Sequence, residues 1–184
     1  GLHEHALFRG VDYLSASFGM TPELMAFWER AGFSWIRLGV HRGTSSGLHS
    51  ALVCHPVSER SRGWLGQASD RFGRSFALQL LGPFKNLSAD IAICGLQNIG
   101  PGSKSIELLP SEWDELVLFA SGGRPFEVVF DVLWRFAQLR LGYSGLPPGD
   151  PLARRLWVAM VLQARPVSEL TGCTHISGRA DAVS

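Results

Sequence analysis

Apolar positions in the first third of the chain change period three times. Residues 11–18, VDYLSASF, alternate and are rich in β-branched and aromatic side chains, which predicts a half-buried strand. Gly19 breaks the alternation. Thr21, Pro22 and Glu23 then supply a cap, a first-position proline and a first-turn carboxylate for a helix. Leu24, Phe27, Trp28 and Ala31 follow at i, i+3, i+4 and i+7, which predicts one inward apolar face, and Gly32 ends the helix. FSWIRLGV predicts a second strand, HRGTSSG a turn-rich connection, and LHSALVCHP a third strand stopped by Pro56. Ahead of all this, GLHEHALFRG reads as the end of a helix closing at Gly10.

After Pro56 the helical period takes over. Residues 59–81 predict a helix interrupted by glycines, and residues 82–110 a loop-rich stretch, clearest at GPGSKS. PSEWDELVLFASGG predicts a helix capped by Ser111, with Asp114 three residues on. A long amphipathic helix is expected from Pro125 to Gly142, with Val129, Val132, Leu133, Phe136 and Leu139 inward. GDPLARRLWVAMVLQARP predicts another, capped by Asp150 with Pro151 in its first turn. The expected class is α/β followed by a mainly α-helical part. The expected units are residues 1–56 and 57–184, without internal repeats.

Composition changes this picture little. A chain of 184 residues with 46% hydrophobic and 18% charged residues can bury a core. A net charge of +1 gives no global case for a nucleic-acid partner. Locally, residues 54–85 carry five basic side chains against two acidic ones, whereas residues 86–184 carry eight against ten. Fifteen of the 17 basic residues are arginines. Arginine suits bidentate phosphate contacts, although high-GC coding also raises its share. Cys54, Cys94 and Cys173 have neither metal-ligand nor redox-motif spacing, which predicts a reduced, cytoplasmic setting. No apolar run is long enough to span a bilayer, and no signal pattern opens the chain. It starts at Gly1, without an initiator Met, so an excised fragment is expected.

Two stretches carry candidate chemistry. Glu23 and Arg30 are seven residues apart, about −20° around a helix, with Phe27 between them. That face suits a ligand with a basic or amide head near Glu23 and a phosphate near Arg30. Dipole complementarity alone also accounts for both charges. In HRGTSSG, Ser45 and Ser46 can donate to phosphate or a base edge, Arg42 adds a cation, and His41 is a candidate general base, since imidazole titrates near neutral pH. An ordinary polar turn with a surface histidine is the simpler explanation of the same residues. Arg60, Arg62, Arg71 and Arg74 in the basic segment are further candidates for RNA contact. His49 and His55 share strand parity but have no third ligand at matching spacing, so no metal site is expected.

The stretch DYLSASFGMTPELMAFWERAGFSWIRLGVHRGTSSG resembles the C-terminal part of the acetyltransferase domain of the tRNA(Met) cytidine acetyltransferase family. The shared pattern is a strand, S-F-G, T, E-L, F-W, G-F, then an apolar strand ending before H-R and S-S-G. It covers about residues 10–56. The tail echoes the family in layout and at GRPFEVVFDVLWRF. The resemblance implies a partial Gcn5-related acetyltransferase (GNAT) fold, a mixed sheet with acetyl-CoA wedged between two splayed strands. It implies acetyl transfer to N4 of the wobble cytidine of elongator tRNA(Met). An upstream helicase-like module would supply ATP dependence. Glu23, Phe27 and Arg30 then fall at the acetyl-CoA contacts. Met20 stands where the family has Tyr, Val40 where it has Asn, and Gly43 and Thr44 where it has Glu and Ala. The chain contains neither the glycine-rich loop that holds the CoA pyrophosphate nor a Walker-type loop; the family carries both upstream. The other readings are a non-catalytic tRNA-binding module and a GNAT enzyme acting on a small amine or a protein.

Overall fold

The alternating segment forms strand β1 (Tyr13–Gly19), and the capped segment forms helix α1 (Pro22–Arg30). The computed structural model describes residues 10–97, 107–144 and 151–174. Thr21 Oγ1 accepts the Leu24 N–H at 3.3 Å, and Gly32 closes the helix at φ 80°. Strands β2 (Ser34–Arg42) and β3 (His49–Pro56) follow. Strand β3 lies between β1 and β2 and is antiparallel to both, with Tyr13 opposite Pro56 and Gly19 opposite Ser50. Consequently β1 and β2 point the same way without touching. The described strands pair only antiparallel, and β1 is an edge. A Cβ on Gly19 would come within 3.0 Å of Leu48 Cδ1, so the strand breaks where that leucine approaches.

Helix α1 turns a different face inward from the one its spacing predicts. Met25 is wholly buried and Trp28 is half-buried, whereas Leu24 and Phe27 are 41% and 48% exposed. The cause is Trp28. Its ring stacks on Phe18 at 5.9 Å and meets Phe33 edge-on at 4.8 Å, which centres the buried face on residues 25 and 28. Leu24 and Phe27, each one position earlier, are rotated about 100° outward.

Helix α2 (Glu59–Gln79) is continuous through Gly63, Gly66 and Gly73. Tertiary contact outweighs the glycines' low propensity. Leu65, Phe72 and Phe76 are buried, and Phe72 and Phe76 pack over Trp35 of β2 at 5.7 and 6.3 Å. Ser58 caps the helix, its Oγ accepting the Ser61 N–H. The Asp12 carbonyl accepts from the Val57 and Ser58 N–H groups and from Ser61 Oγ at 2.5 Å, which ties the start of α2 to the start of β1.

The stretch expected to be loop holds helix α3 (Ala89–Gln97), started by Ser88. Ser88 and the first-turn Asp90 are its local signals, and Gly95 lies so close to the Phe76 ring that no side chain fits there. GPGSKS, Asp150 and GLHEHALFR lie outside the described residues. Helix α4 (Pro110–Ala120) is capped at Leu109 instead of Ser111, because Pro110 takes the first position and the Glu112 carboxylate accepts the Leu109 N–H at 2.8 Å. Glu112 also pairs with Arg135 of helix α5. Helix α5 (Phe130–Ser144) starts five residues later than expected; turns precede it, with Phe126 set against Phe119 and Phe130. Val129, Val132 and Leu133 are buried, whereas Phe136 and Leu139 are half-buried. Helix α6 (Pro151–Trp157) runs into a buried π-helical turn, Val158–Leu162, and helix α7 (Val167–Thr174) follows. Gln163 is wholly buried and donates to the carbonyls of Phe84 and Leu87. One apolar cluster runs from Met20 and Met25 through Trp35 and Phe76 to Val129 and Leu162, so the core crosses residue 57.

Candidate functional site

The outer face of α1 carries Glu23, Phe27 and Arg30, all exposed. Arg30 pairs with no described residue. Glu23 does not face a ligand unengaged: its own backbone N–H and the Thr21 hydroxyl hold its carboxyl below the usual carboxylate range. The strip therefore offers an available guanidinium and exposed Phe27 and Leu24 surface.

The β2–β3 connection is more constrained than a generic polar turn. Strand β2 bulges between Leu38 and Arg42. His41 is exposed within that bulge. Arg42 donates through Nε to His49 Nε2 at 3.4 Å, and His49 Nδ1 lies 2.8 Å from the Gly39 carbonyl. That pairing makes Nδ1 the protonated nitrogen and leaves His49 a buried structural clip. His55 Nδ1 makes a similar clip to the Gly32 carbonyl at 2.7 Å. Ser46 Oγ accepts the Leu48 N–H inside the turn, while Ser45 is exposed. Met20 is wholly buried and Val40 is 42% exposed, so the first of these departures fills core and the second faces solvent.

Helix α2 separates its four arginines. Arg62 turns aside to Glu59 at 3.1 Å. Arg60, Arg71 and Arg74 are exposed and pair with no described residue; with a helical period they fall on one outward face. Trp64 shares that face, four residues after Arg60, and is 44% exposed. It meets Tyr13 of β1 edge-on at 5.2 Å, and Tyr13 is 45% exposed. The pair was not singled out among the candidate residues. The signal for Trp64 was there in the i, i+4, i+11, i+14 spacing of Arg60, Trp64, Arg71 and Arg74; Tyr13 is joined to it only by the fold.

Burial pushes the thiols of Cys54 and Cys94 up, and for Cys94 the carboxylates of Glu29, Asp90 and Glu23 add to the shift. Both changes disfavour a thiolate. A cavity of about 720 Å³ in the helical part is lined by Phe126, Phe130, Met160 and Arg165 and touches none of the residues above.

A strand, a helix against it and a hairpin returning between the two strands form the part of the chain that comparison singles out: residues 2–58 match the family model GNAT acetyltransferase 2. More particularly, the chain is 35% identical over 95% of its length to the tRNA(Met) cytidine acetyltransferase TmcA of Nitrosococcus halophilus (strain Nc4), covering 23% of that protein. It is 37% identical over 69% of its length to the enzyme of the same name from Pectobacterium atrosepticum, covering 18% of it. The Haemophilus ducreyi protein of that name is 34% identical over 82% of the chain, which covers 24% of it. The chain thus spans about a fifth to a quarter of the curated relatives it matches. Similarity reaches far beyond residue 56, into the helical part.

Proposed function

We propose that this chain is a segment of a longer tRNA cytidine acetyltransferase, completing its acetyltransferase domain and adding a helical region that holds tRNA. The carrying observation is the identity to the Nitrosococcus halophilus enzyme across 95% of the chain. The relatives favour neither a small-amine or protein acceptor nor a non-catalytic module.

Acetyl-CoA supplies the acyl group as a thioester. The exposed strip of α1 fits such a cofactor. Arg30 is available for a charge-assisted phosphate contact, Phe27 and Leu24 give apolar surface, and the open edge of β1 suits one wall of a wedge. Glu23, engaged with Thr21, orders the helix start and presents its remaining acceptor capacity to an amide. Transfer to cytidine N4 breaks the thioester C–S bond, forms a C–N bond and releases the N4 proton. The amine's lone pair is delocalised into the ring, so orientation carries much of the rate, up to ~7–11 kcal/mol in favourable cases. His41 is the candidate proton acceptor. Arg42 steadies the end of β2 through His49, and Ser45 offers a hydroxyl to the RNA. ATP belongs to an upstream module of the same polypeptide, and the enzyme works in the cytoplasm.

The test is nucleoside mass spectrometry on elongator tRNA(Met) from the source organism, with the gene present, deleted and restored. N4-acetylcytidine should vanish on deletion and return with the gene. Unchanged modification would remove the tRNA reading.

A further inference from the structure

We infer that Tyr13 and Trp64 form a stacking platform for an unpaired nucleotide, fed by the arginine face of α2. The inference rests on the tRNA reading for its biological setting and on local chemistry for its substance. Two large aromatic rings meet edge-on at 5.2 Å, and each keeps nearly half its surface open to solvent. Such a pair offers open ring surface that a planar group can cover.

Charge indicates what that is. Arg60, Trp64, Arg71 and Arg74 lie at i, i+4, i+11 and i+14 on one helix face. Arg60 to Arg74 spans ~21 Å, enough for several consecutive phosphates. Three acidic groups lie near this face in the chain: Glu59 is committed to Arg62, Asp70 is half-buried at the margin, and Asp12, beside Tyr13, accepts from the Ser58 hydroxyl. Arg60 also stands in the first turn, where the helix dipole disfavours a cation, and no basic residue occupies the last turn. Helix stability therefore does not explain the placement, whereas a polyanion does. Aromatic rings interleaved with unpaired arginines recognise single-stranded nucleic acid, since bases held in a duplex present no face for stacking.

The platform is held in place. The Asp12 carbonyl, one residue before Tyr13, receives Val57, Ser58 and Ser61. Ser58 Oγ adds a bond to Asp12 Oδ1 at 2.6 Å. These bonds keep the start of β1 and the first turns of α2 in register, so the two rings meet without depending on each other.

The experiment measures binding of the full-length protein to two fluorescein-labelled RNAs: a stem with a seven-membered loop of about tRNA size, and a blunt duplex of equal charge. Trp64→Ala should weaken loop binding roughly tenfold or more and leave duplex binding nearly unchanged. Trp64→Phe should recover most of the loss. Arg71→Ala should instead lower the salt slope for both RNAs, by about 0.7 in the single-strand limit. Loop RNA carrying 5-bromouridine should photocross-link to Tyr13 or Trp64. Equal loop affinity in Trp64→Ala, or cross-links that map elsewhere, overturns the platform. Should Trp64→Ala fail to fold, Trp64→Phe and the cross-link decide. If N4-acetylcytidine proves independent of the gene while loop binding still needs Trp64, the platform stands and the acetyltransferase reading falls. The reverse pattern removes the platform alone.

Discussion

Helices α1 and α2 both present a charged outer face with an exposed aromatic, yet their charges are arranged oppositely. On α1 the carboxylate of Glu23 is in the first turn and the guanidinium of Arg30 in the last, so both agree with the dipole. On α2 the first-turn carboxylate of Glu59 agrees with the dipole too, but Arg60 and Arg62 stand beside it, and of these only Arg62 pairs with a described carboxylate, that of Glu59. The same residue types thus mean different things. Charges on α1 serve the helix whether or not a ligand comes, so geometry alone is weak evidence for a cofactor there. Arg60 stands where its own helix dipole disfavours a cation, so its charge gives the helix nothing and is open to an external anion.

Four substitutions would break or sharpen this comparison. The largest effect is expected from Trp35→Ala. This wholly buried ring supports Phe72 and Phe76 of α2, and its loss should destabilise the protein by ~3–5 kcal/mol in urea denaturation. A loss below ~1 kcal/mol would mean that the sheet does not hold α2, and with it the arginine face, in place.

Smaller, but more telling, are the paired reversals Arg60→Glu and Arg30→Glu. Each should shift stability by ~0.3–1 kcal/mol at low salt, in opposite directions. Arg60→Glu should stabilise the fold while weakening RNA binding. Arg30→Glu should weaken both the fold and acetyl-CoA binding, the latter by ~1–3 kcal/mol in calorimetry if a charge-assisted phosphate bond is lost. Equal signs in the two stability measurements would dissolve the distinction between the faces.

The smallest effect belongs to Glu23→Gln. The carboxyl of Glu23 is lowered from its ordinary 4.5, so it contributes stability above that pH and loses it as the pH falls through the lowered value. The variant should lack this part of the acid titration of stability and converge with the parent at low pH. A difference growing toward acid would contradict the hydrogen bonds to Thr21 and the helix backbone.

Much of the first 56 residues was legible because its signals are local. Alternation, a Thr-Pro-Glu helix start, Gly32 and Pro56 each act within a few residues, and the strand, helix, strand, strand order follows from them. The helical part was less legible for the opposite reason. Helix α3 depends on Gly95 meeting Phe76, and α2 runs through three glycines because Trp35 anchors it. The cap of α4 moved to Leu109 because Glu112 reaches back. Candidate residues divide in the same way. Residue type and spacing placed Glu23, Phe27 and Arg30 on one strip, but only packing showed Glu23 engaged with Thr21 and Arg42 with His49.

By itself, then, the sequence determined the order of elements at the start of the chain, the helical character of much of the rest and the long ungapped motif that resembles the acetyltransferase family. Those properties are written in near-neighbour patterns, and near neighbours set backbone preference and period. The tertiary structure decided which face of α1 is buried, that β3 lies between β1 and β2, that one core crosses residue 57, and that Tyr13 meets Trp64. Each of these joins residues far apart in the chain or selects among faces the pattern left open, and only the packing of bulky rings such as Trp28, Trp35 and Phe76 settles the choice.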